Sequence, residues 1–541
     1  MNRQPRTLVV ALLTLVLSPF AGAQHSGQSS PPASQVGSDN VDFRTSCAAS
    51  TADDFNRAVA LMHSFWFAEA IDAFNEVLTE DSNCAMAHWG IALSHWGNPF
   101  AGQRNARQLE RGQAAVQLAQ QTGSPTAREA LYIAAVGQLF ADGQSDTQYQ
   151  RTVAYENTMQ TLTDRYPDDR EGQIFYALAI NQNAQASDKT YARQLQAAAI
   201  LEPLFEAHPA HPGLAHYIIH AYDHPPLAER ALQAAEVYAS LAPDAPHALH
   251  MPSHTFTRVG RWQASVDTNL RAAQAARSDN DAGSELHALD YQIYAYLQMG
   301  RDQAASAVVE RALSLTEQIN ITAVGATQAG AFAIAAIPAR YALEREDFAM
   351  AASLAVRPAE STPHTQAMTH FARALGAARN GDPEAAQTDL DMLAVLMERA
   401  DTHSDAYWHE QIDIQRQVAQ AWVTFARGDR DHAIAQLRAA AQAEDGTDKS
   451  AVSPGPLAPA RELLGMMLLA ADQPALALVE FQTTMQKEPN RFLALKGAAQ
   501  AADAAGDTEA ARGYYRNLLQ VAATADSDRP ALTRARAYLV N

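Results

Sequence analysis

From Ala52 onward apolar residues recur every three or four positions, and short clusters of Gly, Asp, Asn and Pro interrupt them. That spacing puts the apolar side chains on one stripe of a helix, and the clusters mark where one helix stops and the next begins. No run sustains the alternation of β-branched and polar residues that a half-buried strand requires. The pattern predicts an all-α fold. It also carries an internal period. Leu464, Gly465, Leu468, Ala477, Phe481 and Pro489 form one unit, and thirty-four residues later Ala498, Ala499, Ala511 and Tyr515 repeat its framework. Pieces of the same spacing occur as Ala70 with Phe74, Ala234 with Tyr238 and Pro246, Ala386 with Leu390, and Ala433 with Leu437.

A period of this length, with small residues where two helices approach and bulky ones in the gap, is that of the tetratricopeptide repeat (TPR). One helix pair cannot hide its apolar face alone, so successive pairs must stack. The expected fold is a TPR-type α-solenoid: antiparallel helix pairs stacked into a right-handed superhelix, with the first helices lining a concave surface. Turns such as Asn380-Gly381-Asp382-Pro383, Gly428-Asp429 and Gly506-Asp507 are expected between helices. The predicted organisation is a signal segment at 1–23, a flexible linker at 24–45 and a divergent helical array at 46–445 with a histidine-rich centre at 208–254. A loop at 446–459, rich in Gly, Ser and Pro, then precedes a C-terminal repeat pair at 460–541.

The N-terminus changes the expected location. Arg3 and Arg6 precede an apolar run from Leu8 to Phe20 and the small-residue site Ala21-Gly22-Ala23, which is the pattern of a cleaved secretory signal. A periplasmic or secreted protein is therefore expected, with no membrane-spanning segment after the signal is removed. An even cysteine count in such a protein favours a disulfide. Cys47 and Cys84 would close a loop of about 38 residues and stabilise by roughly 3–4 kcal/mol. The formal net charge of −20 argues against nucleic acid as a partner, because phosphate neutralisation needs a basic surface.

Histidine use is concentrated. His208, His211, His216, His220, His224, His247, His250 and His254 fall in the centre of the array. His216 and His220, and again His250 and His254, are four apart and so share one helix face. The second pair follows the first by one repeat, which sets both at matching places on adjacent units. Neutral imidazole is a ligand for Zn, Cu, Ni and Fe, so His216, His220, His250 and His254 are candidate ligands for a transition metal such as Zn or Cu. Pro252, inside the second pair, marks a helix start that would alter its facing. A smaller cluster, His63, Trp66, Glu69, His88, Trp89, His95 and Trp96, lies on the first units, where aromatics at helical spacing are ordinarily core.

The stretch Pro212-Gly213-Leu214-Ala215-His216-Tyr217-Ile218-Ile219-His220-Ala221-Tyr222-Asp223, the later Ala242 to Phe256 containing His247-Ala248-Leu249-His250-Met251-Pro252-Ser253-His254, and Cys84-Ala85-Met86-Ala87-His88-Trp89-Gly90 resemble a family of bacterial exported TPR-repeat proteins. The resemblance runs from about Cys47 to Arg311. It implies the fold and a special role for these motifs, and it brings no activity or substrate.

Recognised catalytic patterns are missing. The chain has no glycine-rich phosphate loop, no Gly-x-Ser-x-Gly turn, no His-Glu-x-x-His and no convincing acid–base dyad. The leading expectation is a scaffold rather than an enzyme, holding a protein or peptide on its concave face, with Tyr217, Tyr222, His247 and Trp262 among the contact residues. The rival expectation is a metal-binding protein or metalloenzyme built on the paired histidines.

Overall fold

The computed structural model describes residues 35–124, 126–141, 147–316, 327–356, 362–401 and 406–540. The expected signal segment at 1–23 and the first part of the expected linker lie outside them. The described residues form α-helices and short 3-10 turns, with no strand among them. None of these helices is long and apolar enough to cross a membrane.

The helices stack as TPR pairs. Ala282–Gln298 packs on Trp262–Ser278 and also on Thr327–Leu343, and Pro363–Arg379 packs on Gln387–Asp401 and on Ala406–Ala426. Contact with the next helix makes the pair, and contact with the one beyond stacks pair on pair. The small and bulky positions of the repeat carry this packing. A Cβ placed on Gly465 would stand 2.8 Å from the ring of Phe481, and one on Gly497 would stand 2.3 Å from the same ring. Phe481 is thus wedged between a glycine of its own pair and a glycine of the next. Phe74 fills the space over Gly90 in the same way, 2.2 Å from where a Cβ would be. Between helices, Gly506 turns the chain at φ 81° and Asp507 then caps the next helix, its Oδ1 accepting from the Ala510 N–H at 3.0 Å.

The linker expectation changes where it can be seen. From Gln35 the chain is packed: Val36, Val41 and Phe43 are buried, and the Phe43 ring lies 5.1 Å from those of Trp89 and Tyr132. Three apolar side chains in an otherwise polar segment suffice to dock it on the first helix pairs. Ser46 donates from N and Oγ to Glu129, and the Cys47–Cys84 disulfide joins this entry segment to the start of Ala85–Trp96.

The segment 446–459 contains no helix, yet it is held firmly. The buried Arg340 guanidinium bonds Asp290 and donates to Ser453 Oγ and to the carbonyls of Gly455 and Pro456, all at 2.8–3.0 Å. Six helices position the site described next: α1, Ala52–His63; α2, Pro212–Ala221; α3, Pro246–His250; α4, Pro252–Arg258; α5, Trp262–Ser278; and α6, Ala282–Gln298.

Candidate metal centre

Helix α2 begins with Pro212 at its first turn, where a missing N–H costs nothing, and presents His216 and His220 one turn apart. Met251 separates α3 from α4, and Pro252 opens α4, so His250 ends one helix and His254 sits in the first turn of the next. Their facing survives the break: the two Nε2 atoms are 3.1 Å apart. His247 on α3 reaches across to α2, with its Nε2 3.1 Å from that of His216. His287 comes from α6, its ring centroid 4.2 Å from that of His250.

The result is two sets of three imidazoles, His216–His220–His247 and His250–His254–His287, each with one ring nitrogen per residue inside a 4.8 Å circle. The sets adjoin. Ring centroids of His220 and His254 are 6.2 Å apart and those of His247 and His250 are 6.3 Å apart, at the upper end of the 4.2–6.3 Å found within the sets. Burial lowers the pKa of all six, and mutual repulsion lowers most of them further, so they are neutral near pH 7.

The surrounding groups decide which nitrogens carry hydrogen. Asn269 on α5 donates from Nδ2 to the Ser265 carbonyl at 2.7 Å, which turns its Oδ1 toward His250, and His250 Nδ1 donates to it at 2.6 Å. His254 Nδ1 donates to Asp223 Oδ2 at 2.8 Å, and His216 Nδ1 donates to the His63 carbonyl at the end of α1 at 2.6 Å. A neutral imidazole has one N–H. His250 and His254 therefore turn bare Nε2 lone pairs at each other across 3.1 Å. Two buried nitrogens complete the picture: His220 Nε2 and His287 Nδ1 have no hydrogen-bond partner. These lone pairs and orphan nitrogens fit bound cations. With metal–nitrogen bonds of roughly 2.0–2.1 Å, a 3.1 Å separation of two ligand atoms corresponds to an angle of about 100° at the metal.

Asp223 anchors the surroundings. It accepts from Arg258 Nε at 2.9 Å and from Lys449 Nζ at 3.0 Å as well as from His254. Burial alone would raise its pKa, but the Lys449 and Arg258 charges hold it well below the usual carboxylate range. Behind α2, Glu171 gives one oxygen to His63 Nε2 at 2.9 Å and the other to His211 Nε2 at 3.0 Å. These three also converge within 4.8 Å. Both carboxylate oxygens are already engaged, so we read the group as bracing for α1, whose carbonyl orients His216.

No family model and no curated protein matches the chain. Among solved structures it is similar to the human IFIT1 dimer with PPP-AAAA, at 11% identity and a TM-score of 0.38 over 81% of this chain and 91% of that one. Yeast Tom70 shares 11% identity with a TM-score of 0.28 over 90% and 95%. The P58(IPK) TPR domain shares 13% with a TM-score of 0.21 over 68% and 98%. Likenesses of this size say nothing about the site.

The four predicted ligands do not meet at one point; they divide between two sets, each completed by a third histidine. His247, expected among partner contacts, completes the first. Tyr217, Tyr222 and Trp262, expected on an open contact face, are inside. Tyr217 meets His63 Nδ1 at 3.0 Å, Tyr222 donates to Glu202 at 2.6 Å, and Trp262 Nε1 donates to the Asn490 carbonyl at 2.9 Å. The physical reason is that other parts of the same chain cover them: His63 and Phe65 pack on Tyr217, Glu202 and Arg230 on Tyr222, and Asn490 on Trp262, while Lys449 on Asp223 and the Ser453 carbonyl on the Tyr291 hydroxyl at 3.1 Å close the face nearby. His287, Asp223, Asn269 and Lys449 were not singled out from sequence. His287 alone carried a usable signal, since it falls thirty-three residues after His254, one short of the repeat.

Proposed function

We propose that this is an exported TPR-type protein that binds transition-metal ions through His216, His220 and His247 in one set and His250, His254 and His287 in the other. Export is supported by the N-terminal signal pattern at 1–23 and by the Cys47–Cys84 disulfide. The observation that carries the metal reading is the pair of bare Nε2 atoms of His250 and His254, facing at 3.1 Å with both Nδ1 hydrogens committed elsewhere. Imidazole-only ligand sets suit Zn, Cu, Ni or Fe, and the hydrogen-bonded Nδ1 groups are the outer supports that such ligands use.

The test is metal analysis of the purified full chain after equilibration with Zn, Co, Ni and Cu salts and removal of excess. One ion per histidine set is expected, with a His216→Ala/His250→Ala variant losing both while keeping its helical circular dichroism. A folded wild-type protein that retains none of these metals would end the reading. A protein or peptide partner is a second use of the stack. It is favoured by Leu476 and Val479, 50% and 53% exposed and one turn apart on Pro474–Lys487.

A further inference from the structure

Resting on the metal reading, we infer that the two sets hold a coupled pair of copper ions that binds dioxygen between them. Three features of the site lead there. The first is adjacency: across the two sets the rings of His220 and His254, and of His247 and His250, are 6.2 and 6.3 Å apart, at the upper end of the 4.2–6.3 Å found within the sets, so ions held by the two sets are neighbours. The second is charge. Neither set contains a carboxylate, and Asp223 bonds His254 from outside and is already matched by Arg258 and Lys449. A buried site with no anionic ligand disfavours a pair of dications, each of which costs several kcal/mol to bury unpaired. It is better suited to monovalent cuprous ions, and copper also binds nitrogen ligands most tightly among the divalent first-row metals. Zinc, by contrast, has no monovalent state.

The third feature is access. A cavity of about 350 Å³ is lined by His220 and His247 of one set and by His254 and His287 of the other, with Phe65 and Phe100 among its apolar walls. Both ions therefore open onto one space in which a small diatomic molecule can bridge them. The reaction balances within the site. Each cuprous ion gives one electron to dioxygen, both ions become cupric, and the oxygen–oxygen double bond becomes the single bond of peroxide. The bridging peroxide dianion then supplies the negative charge that the two histidine sets do not. No proton and no further reductant is required for this binding step.

The experiment uses the metal-free full chain titrated with cuprous ion under anaerobic conditions, then exposed to dioxygen. One copper per histidine set is expected, followed by uptake of one dioxygen per copper pair. An intense near-ultraviolet charge-transfer band should appear, and electron paramagnetic resonance should show little signal, because coupled cupric ions cancel one another's spin. His287→Gln, which removes one ligand from one set, is expected to abolish dioxygen uptake and the band and to make the remaining oxidised copper visible by resonance. If copper fills both sets but its cupric form gives a resonance signal accounting for every ion, or if no dioxygen is taken up, the inference is overturned and the metal reading stands. If neither copper nor any other metal is retained, both fall. Should the variant fail to fold, the wild-type stoichiometry, uptake and spin count decide alone.

Discussion

Single hydrogen bonds orient the histidines of this site, and Asn269 shows how. Its side chain is fully buried and has one arrangement: Nδ2 to the Ser265 carbonyl, Oδ1 to His250 Nδ1. Without that acceptor the His250 ring is free to rotate, and its Nε2 no longer faces His254. Outer-shell losses of this kind typically weaken metal binding by roughly 10–100-fold. Asn269→Ala is expected to show that loss at the second set and none at the first, as measured by competitive metal titration. Asn269→Asp, which keeps the acceptor, should recover most of it. Equal affinities in all three proteins would mean that Asn269 does not position the ligand. At this scale the sequence was informative about residue type: four of the six histidines stood out by their spacing. Asn269 was invisible, because an Asn in the middle of a helix has no signature separating a ligand support from a solvated side chain.

Among the helices, small residues set how closely they approach. Phe481 fills the gap left by Gly465 on its own pair and Gly497 on the next, and this contact joins the last repeats to one another. Gly497→Ala would drive a methyl group to 2.3 Å from that ring, which is itself fully buried. Overpacking of this kind costs about 1–3 kcal/mol. Urea unfolding should show that loss, and pairing it with Phe481→Leu should cost less than the two changes added separately. Strict additivity would show that the two side chains do not share one space. The last repeats were legible from residue order because their landmarks keep the 34-residue period. In the middle of the chain α3 and α4 break at Met251, and the stretch between Asp223 and Leu232 lengthens one turn, so the period slips there.

The whole molecule is held by buried ionic contacts between residues far apart in sequence. Arg491 meets Glu462 Oε1 and Glu344 Oε1 at 2.9 and 2.7 Å, Glu488 at 3.2 Å, and the Tyr294 hydroxyl at 2.8 Å. Several carboxylates around one guanidinium leave an excess of negative charge. Burial raises the Glu462 pKa to about 7, Arg491 opposes the rise, and Glu344 and Glu488 add to it. A carboxyl raised in the folded state from an ordinary value of 4.5 stabilises most when protonated. Its contribution is complete below the unfolded value, falls as pH rises through about 7, and is flat beyond. Wild-type stability should therefore decline between about pH 5 and 7, at most about 1.4 kcal/mol per pH unit from this group. Glu462→Gln should flatten that slope whatever it does to stability overall. An unchanged slope in chemical denaturation across this range would assign the effect elsewhere.

Residue order alone determined the helical class, the repeat and the disulfide partners, because each rests on local spacing or count: which side chains share a stripe, where a glycine must stand, and that the chain has just two cysteines. It also assembled the raw material of the site, since residues four apart on a helix share a face in any fold. Only the tertiary structure decided that the histidines divide into two sets, that His247 and His287 complete them, and that the presumed contact face is closed by Lys449, Ser453 and Asn490. Those contacts join residues up to 228 positions apart, and no local pattern specifies which distant segment folds over which.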